Sequence, residues 1–404
     1  MGALWWAFAD LKYSAIFPSA LRKARRRREA FITSGLNDLP EPFSTSVKTG
    51  VDRREGRIVA ILGIATTELT QTVAPVPPRN RRIKELLLNQ QTVLFLVLVA
   101  MVVIFTVLDP IFFSVGVFGN ILLDWGPIIL IALAETFVVI SGGIDLSVGA
   151  NLGFSGVIAA YAMQSLTAAG IGDALAITLG VIVAAATGSF VGYVNAVMIN
   201  RARLVPFIAT LVTLGAAGGM SIVLTGGAPI GNGPKSAIAL SVPWLGPLSW
   251  PGIVVIVIVI IAGLYLHKSR FGRYTYAIGS NPFAALAAGI NVKLHLTRIY
   301  VLSGFLSGLA GMFLYIRLGS GAPTSGTGNE LVAIAAVVIG GVALAGGVGR
   351  MSGVVIGSLI LAVVPSGLII IGIEPNWKQV VIAFLIAAAV SLQALRTSSS
   401  RRSK

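Results

Sequence analysis

The sequence predicts an all-α fold, that of a polytopic integral membrane protein with about ten transmembrane helices. Of its 404 residues, 55% are hydrophobic and only 11% are charged, whereas a soluble domain carries about a quarter charged residues. The apolar residues come in runs that match the thickness of a bilayer, and short polar segments separate these runs. The 47 glycines suit helices that pack closely inside a membrane.

The apolar runs follow one another from about residue 92. Several contain Gly, Pro or a single polar side chain, which is typical of helices packed inside a bundle rather than facing lipid. The predicted spans are 92–108, 126–141, 145–164, 173–199, 205–225, 251–267, 298–318, 331–347, 353–372 and 377–395.

Composition divides the chain into three parts. Residues 1–85 are predicted to form a basic, poorly ordered cytoplasmic extension, residues 86–396 the transmembrane domain, and residues 397–404 a basic cytoplasmic tail. The net charge is +15, and 15 of the 30 basic residues precede residue 86. Most of the others lie in gaps between apolar runs, which favours the cytoplasmic loops of a membrane protein over a nucleic-acid groove.

The positions of the basic residues predict the orientation in the membrane. With the N-terminus in the cytoplasm, ten spans place 200–203, 267–273, Lys293, Arg298 and Arg350 on the cytoplasmic side. Both termini are then cytoplasmic, in keeping with the positive-inside rule. The outer loops and outer span ends hold Lys235, Arg317 and Lys378.

Several kinds of chemistry are excluded by composition and spacing. The chain has no cysteine, and His267 and His295 cannot form a metal site by themselves. The stretch nearest to a phosphate-binding loop is 226–236, but Pro234 stands where that motif needs a glycine before the lysine. We therefore expect no catalytic residue, no metal and no cofactor, and we expect that the protein is not an enzyme.

An aspartate lies in the glycine-rich run "VVISGGIDLSVGANLGFSG" (138–156). A lone charge at the bilayer centre costs at least about 2.5 kcal/mol, so Asp145 needs a partner. After a helix break at the two glycines 142 and 143, it could cap the next helix by accepting from the amides of Ser147 and Val148. The alternative is a role in the pathway or its gate, where the broken helix end lines the route of a neutral polyol.

Other polar side chains fall within the spans. Glu135 could face the bundle interior, or it could stay protonated or bond a neighbouring helix. Scattered amides and hydroxyls suit a sugar, which carries no net charge, better than a proton relay does. The candidate residues of the translocation path or gate are Glu135, Asp145, Ser147, Asn151, Asn195 and Thr210.

A short capped helix is predicted in the long cytoplasmic segment 267–298. Asn281 can cap it, Pro282 can occupy its first position and Gly289 can end it, which gives about two turns. So short a helix is unstable alone in water. It is either a docking element for a cytoplasmic partner or an ordinary loop helix on the membrane.

An internal repeat is also predicted. "GGIDLSVG" (142–149) and "GGVALAGGVG" (340–349) are each followed by Ser-Gly-Val, at 155–157 and 352–354. Duplicated halves are common in transporters, with the substrate path at their interface. The alternative is a chance likeness between glycine-rich segments.

Seven stretches of the sequence, taken in order, carry a family resemblance. They strongly resemble the membrane subunit of bacterial ABC importers for monosaccharides, the ribose/xylose/galactose permeases of the branched-chain-type permease superfamily, over about residues 90 to 395. The stretches are "SGGIDLSVGA", "VPFIATLVTLG", "LTGG", "SRFGRYTYAIGSNPFAALAAGI", "YVLSGFLSGLAG", "AIAAVVIGGVALAGGVGRMSGVVIGSLI" and "WKQVVIAFLI".

The resemblance implies a multi-pass permease of the bacterial inner membrane without enzymatic activity. It implies a homodimer, an ATP-binding subunit beneath it, and an extracytoplasmic sugar-binding protein above. It also implies that the segment 279–290 is the coupling helix that sits in a cleft of the ATPase. The residues of that helix are Gly279, Asn281, Pro282, Phe283, Ala284, Ala285, Leu286 and Gly289.

One departure from the family pattern concerns the docking contact. Phe283 stands where the family usually has glutamate, and a basic residue common near Leu286 is missing. We therefore expect docking to depend more on apolar burial than on charge.

The predicted function is the permease subunit of an ATP-driven importer for a xylose- or ribose-like monosaccharide. Galactose, arabinose and a furanose signal molecule are the other candidate sugars. One alternative is a secondary transporter coupled to an ion gradient, with Glu135 and Asp145 as ion ligands. Another is a membrane-anchored scaffold or receptor that acts through its basic N-terminal arm.

Overall fold

The computed structural model describes residues 90–374, 377, 380–384 and 387. Helices dominate this part of the chain, which confirms the all-α fold class. The predicted extension 1–85, the tail 397–404 and most of the predicted span 377–395 lie outside the described residues.

The helix boundaries follow from local signals. Asp109 and Ser114 cap the first short turn and the long helix after it, and Pro206 and Pro282 each occupy the first position of a helix. The elements are α1 (Gln90–Leu108), a 3-10 turn (Pro110–Phe113), α2 (Val115–Ile140), α3 (Ser147–Ala168), α4 (Asp173–Asn200), α5 (Pro206–Thr225), α6 (Ser236–Ala239), α7 (Trp250–Lys268), α8 (Arg270–Ser280), α9 (Pro282–Ala287), α10 (Val292–Leu318), α11 (Asn329–Ile339) and α12 (Met351–Ile370).

Seven of the described helices are long and apolar enough to cross a membrane, namely α1, α2, α4, α5, α7, α10 and α12. The predicted span 145–164 forms α3, whose 22 residues include more polar and small side chains. The predicted span 331–347 is wrong in extent, because α11 ends at Ile339. Gly341 then adopts a φ of +84°, which ends the helix. Its 11 residues cover about 16 Å, roughly half a bilayer.

Helix α2 forms the centre of the bundle. Every residue from Trp125 to Ile140 is buried, as expected for a helix that is surrounded on all sides. Helices α4 and α10 make the most extensive contact, and glycines let their backbones meet. A Cβ added at Gly304 would lie 2.1 Å from the carbonyl oxygen of Gly188, and one added at Gly188 would lie 2.2 Å from that of Gly304. Close approach through small residues is the usual way that membrane helices pack.

The two ends of the bundle differ in charge. The side-chain amide of Asn200 donates to the carbonyl of Lys293 at 3.0 Å, and the Tyr276 hydroxyl donates to that of Gly349 at 2.8 Å. The loops after α4, around α8 and before α12 therefore share one end, which we call the basic end. None of the described residues in these loops is acidic. The basic residues of the basic end are Arg201, Arg203, Lys268, Arg270, Arg273, Lys293, Arg298 and Arg350.

Similar turns end α2 and α11 at the two glycine-rich stretches of the predicted repeat, but one residue out of its register, which pairs Gly142 with Gly340. Gly142 after α2 and Gly341 after α11 both have left-handed backbone, with φ of +88° and +84°. In each turn the amide of this glycine donates to the carbonyl three positions before it. The amide of the following residue donates to the carbonyl five positions before itself. The same pair of bonds ends other helices of this chain, at Gly170, Gly289 and Gly372, so it does not test the duplication, which stays a prediction.

Candidate functional site: a buried polar network and an exposed capped helix

The connection between α2 and α3 brings irregular backbone into the protein interior. Glycine is required here twice, since Gly142 takes positive φ and Gly143 packs against a side chain. A Cβ added at Gly143 would lie 2.5 Å from the hydroxyl of Tyr300 on α10. The connection therefore lies directly against α10, and Asp145 follows within it.

Asp145 is 1% exposed and accepts hydrogen bonds with both carboxylate oxygens. Its Oδ1 accepts from the amide of Ser147 at 3.0 Å and from the hydroxyl of the same serine at 2.6 Å. Its Oδ2 accepts from the hydroxyl of Ser303 on α10 at 2.8 Å. Neutral donors therefore compensate the buried carboxylate, as buried polar groups require.

The predicted cap is present in part. The bond from the Ser147 amide is observed, but the second expected donor was wrong, because the Ser147 hydroxyl takes the place of the Val148 amide. The structure assigns Leu146 as the residue before the helix, so the carboxylate lies one position earlier than a standard cap. The bond to Ser303 also ties the start of α3 to α10, which local sequence did not reveal.

Glu135 lies on α2 and contacts the connection between α2 and α3 that carries Asp145. The side chain is fully buried, and its Oε1 accepts from the backbone amide of Asp145 at 3.1 Å. Its Oε2 and the Tyr300 hydroxyl are buried without a hydrogen-bond partner among the described residues. The side chains of Glu135, Asp145 and Tyr300 therefore lie near one another in the protein interior.

Amides and hydroxyls from two more helices extend this network. The Asn195 side-chain amide on α4 donates to the Ser147 hydroxyl at 2.8 Å. On α5, Thr213 donates to the Asn195 carbonyl oxygen at 2.6 Å, and the Thr210 hydroxyl accepts from the Leu146 amide at 3.1 Å. Five helices are therefore joined through one polar cluster.

The structure brings together five of the six residues predicted for the path or gate. The sixth, Asn151, lies one turn along α3 and donates to the Gly188 carbonyl at 3.2 Å while accepting from Ser155 at 3.1 Å. All six are 0 or 1% exposed, so they lie in the interior of the chain's own fold and are not open to a channel. Sequence reasoning missed Ser303, Thr213 and Tyr300; "YVLSGFLSG" placed two of them on a small-residue helix but did not show what they contact.

The capped helix at the basic end has the predicted form. The Asn281 side chain accepts from the amides of Phe283 and Ala284, both at 3.0 Å, and Pro282 is the first residue of α9. Gly289 follows with a φ of +83°, which ends the helix. Of its side chains, Ala285 is buried against the bundle.

The outer face of α9 is apolar and unusually open. Phe283 is 83% exposed and Leu286 is 62% exposed. A short helix that presents two large apolar side chains at a basic, aqueous end is suited to contact with another protein. Burial raises the pKa of the Tyr276 hydroxyl on the adjoining α8, against the opposing effect of Arg350. This phenol therefore keeps its proton and stays a donor to Gly349.

Long apolar helices, a buried polar network and the exposed helix α9 at the basic end are the features expected of a multi-pass membrane permease. The chain belongs to the family described as "Branched-chain amino acid transport system / permease component", whose model matches residues 117–390. Members of this family are permease subunits of ABC importers, so the protein is a transport permease subunit and not an enzyme.

Curated relatives cover most of the chain. The ribose import permease protein RbsC of Escherichia coli K12 is 39% identical over 327 residues, which is 80% of this chain and 97% of that protein. RbsC of Bacillus subtilis 168 is 40% identical over 301 residues, or 74% of this chain and 91% of the relative.

The galactose/methyl galactoside import permease protein MglC of E. coli K12 is 34% identical over 314 residues, covering 75% of this chain and 94% of the relative. These matches confirm the resemblance to monosaccharide importer permeases that the motifs carried. No solved structure matches the chain.

Proposed function

We propose that this chain forms the sugar path of an ATP-driven importer of the bacterial inner membrane, with a ribose- or xylose-like monosaccharide as cargo. The relatives named for ribose and galactose import support this class of substrate. Ribose is the first sugar to test, because two relatives named for it are about 40% identical to the chain.

The single observation that carries the coupling proposal is the exposure of Phe283 and Leu286 on α9. A separate ATP-binding subunit would bury these two side chains in an apolar groove. An exposed Phe or Leu gains about 1.5–3 kcal/mol when it is fully buried. The family's charged contact is absent here, so apolar burial is proposed as the main source of docking energy.

The basic end supports a cytoplasmic location for α9. Eight basic side chains and no described acidic one lie there, as the positive-inside rule expects of a cytoplasmic face. With α9 inside, the termini are cytoplasmic, and the extracytoplasmic sugar-binding protein docks at the opposite end. A homodimer of this permease completes the proposed assembly.

We assign the buried cluster to the gate rather than to the wall of the path. Glu135, Asp145 and the residues bonded to them are closed off from solvent, so sugar cannot contact them in this conformation. They hold the first turn of α3 against α5 and α10. A change in their bonding would release that turn, and this would act as a gate.

The decisive experiment substitutes the two exposed residues of α9. The double variant Phe283→Asp/Leu286→Asp should remain in the membrane but lose the ATPase subunit on co-purification and lose ribose uptake. The matched control is Val242→Asp/Leu245→Asp, which changes two residues of 59% and 58% exposure in the loop before α7. The control should retain the ATPase. Retention of the ATPase by the α9 variant would refute the docking assignment.

A further inference from the structure

Helix α8 ends at a junction made almost entirely of backbone. The Gly347 amide in the glycine-rich loop before α12 donates to the Ile140 carbonyl at the end of α2, at 2.8 Å. Gly279 of α8 fits against the same pair. A Cβ added at Gly279 would lie 1.8 Å from the Ile140 oxygen and 2.6 Å from the Gly347 nitrogen.

The two glycine-rich turns also contact each other at this point. A Cβ added at Gly346 would lie 3.0 Å from the Gly142 backbone and 3.0 Å from the Gly279 carbonyl oxygen. Three segments that are remote in sequence therefore meet within one layer of backbone atoms. A side chain at such a contact could change rotamer and absorb a displacement, but close-packed backbone transmits it.

The junction lies between the exposed helix α9 and the buried polar network. On one side, only Ser280 and Asn281 separate Gly279 from the first residue of α9. On the other side, Ile140 and Gly142 lead within five residues to Asp145, whose carboxylate ties α3 to α10. A shift of α9 thus has a short covalent and contact route into the cluster.

The fold also leaves room for such a shift. A cleft of about 150 Å³ lies beside the junction, and its lining includes Gly142, Gly143, Ile278, Pro282 and Tyr300. It therefore extends from the base of α9 to the phenol that is buried without a partner among the described residues. Movement of α8 and α9 toward this cleft would displace the Gly142–Gly143 turn.

We infer that Gly279 is a positioning residue which transfers the movement of the docked α9 to the turn carrying Asp145, and so couples ATP hydrolysis to opening of the gate. This inference rests on the proposed function, because it requires an ATPase at α9. It assigns to the α8 end a role separate from docking: the complex can assemble without it, but the motion is not delivered.

The test uses the full importer reconstituted in proteoliposomes, with ATP hydrolysis and ribose uptake measured in parallel. Gly279→Ala should keep the ATPase subunit bound and keep hydrolysis, while uptake per ATP falls about tenfold, the scale on which substitutions change coupling. The matched control is Gly215→Ala on α5, where an added Cβ meets nothing within 4 Å. Its uptake per ATP should equal that of the wild type.

A second, milder variant covers the case in which Gly279→Ala fails to assemble. Tyr276→Phe removes the 2.8 Å bond from α8 to the Gly349 carbonyl and should lower uptake per ATP about threefold. Its control is Tyr274→Phe, on the same helix and 41% exposed, which should leave the ratio unchanged.

The outcomes separate this inference from the proposed function. Intact complexes of both variants that carry as much sugar per ATP as the wild type would overturn the inference alone. A wild-type chain that binds no ATPase would overturn both the inference and the docking proposal.

Discussion

The bonding of Asp145 predicts a large difference between two substitutions at that position. Asp145→Ala removes the acceptors of three buried bonds, two from Ser147 and one from Ser303. Hydrogen bonds inside membrane proteins contribute about 0.6 kcal/mol on average and about 1.7 kcal/mol at most, so the loss of three should lower the unfolding free energy by roughly 2 kcal/mol and by no more than about 5 kcal/mol. Asp145→Asn keeps the shape and an oxygen that can accept both Ser147 bonds. Its amide can donate to the Ser303 hydroxyl, so the expected loss is below about 1 kcal/mol.

The assay is unfolding of the purified protein in mixed micelles, followed by the fluorescence of its six tryptophans. Thiol-reactive dyes are unsuitable, because the chain has no cysteine. Asp173 provides a control, since its carboxylate also accepts two bonds, from Ser236 at the opposite end, but is open to water. Asp173→Ala should destabilise the protein much less than Asp145→Ala, because water replaces the lost partner. If Asp145→Asn destabilises as strongly as Asp145→Ala, the charge and not the bonding pattern holds the network together.

Two further predictions concern packing and surface charge. Gly304→Ala should separate α4 from α10, because the new methyl group would overlap the Gly188 carbonyl. Overpacking of this kind costs about 1–3 kcal/mol. Unfolding measurements should show this loss in Gly304→Ala and none in the control variant Gly215→Ala. Arg317→Ala breaks the ion pair with Asp124. The side chains of Arg317 and Asp124 are 33% and 46% exposed, so the unfolding free energy should change by at most about 1 kcal/mol. A larger loss at Arg317, or one that persists in high salt, would show that the pair is not a surface contact.

Features set by neighbouring residues could be predicted from the sequence. The cap at Asn281, the first-position proline after it and the end at Gly289 each depend on residues within a few positions. The break after α2 was predicted for the same reason, because Gly142 and Gly143 mark it directly. Composition alone was enough for the membrane class.

Features set by distant residues could not be predicted in the same way. Ser303 lies 158 positions from Asp145, and no local pattern distinguishes a serine that bonds a carboxylate from one that bonds its own helix. Neighbouring Ser307 does the latter, donating to the Ser303 carbonyl at 2.9 Å. The length of α11 was overestimated because apolar residues continue past the glycines that end the helix.

The distance in sequence between Asp145 and Ser303 has a consequence for biogenesis. At about 5–20 residues per second, the ribosome needs roughly 8 to 30 seconds to reach the serine after it has made the aspartate. During this interval α2 and α3 must enter the bilayer while the carboxylate lacks its donor from α10. The early helices of the nascent chain therefore carry an incompletely satisfied acid, and their final arrangement waits for synthesis of the later half.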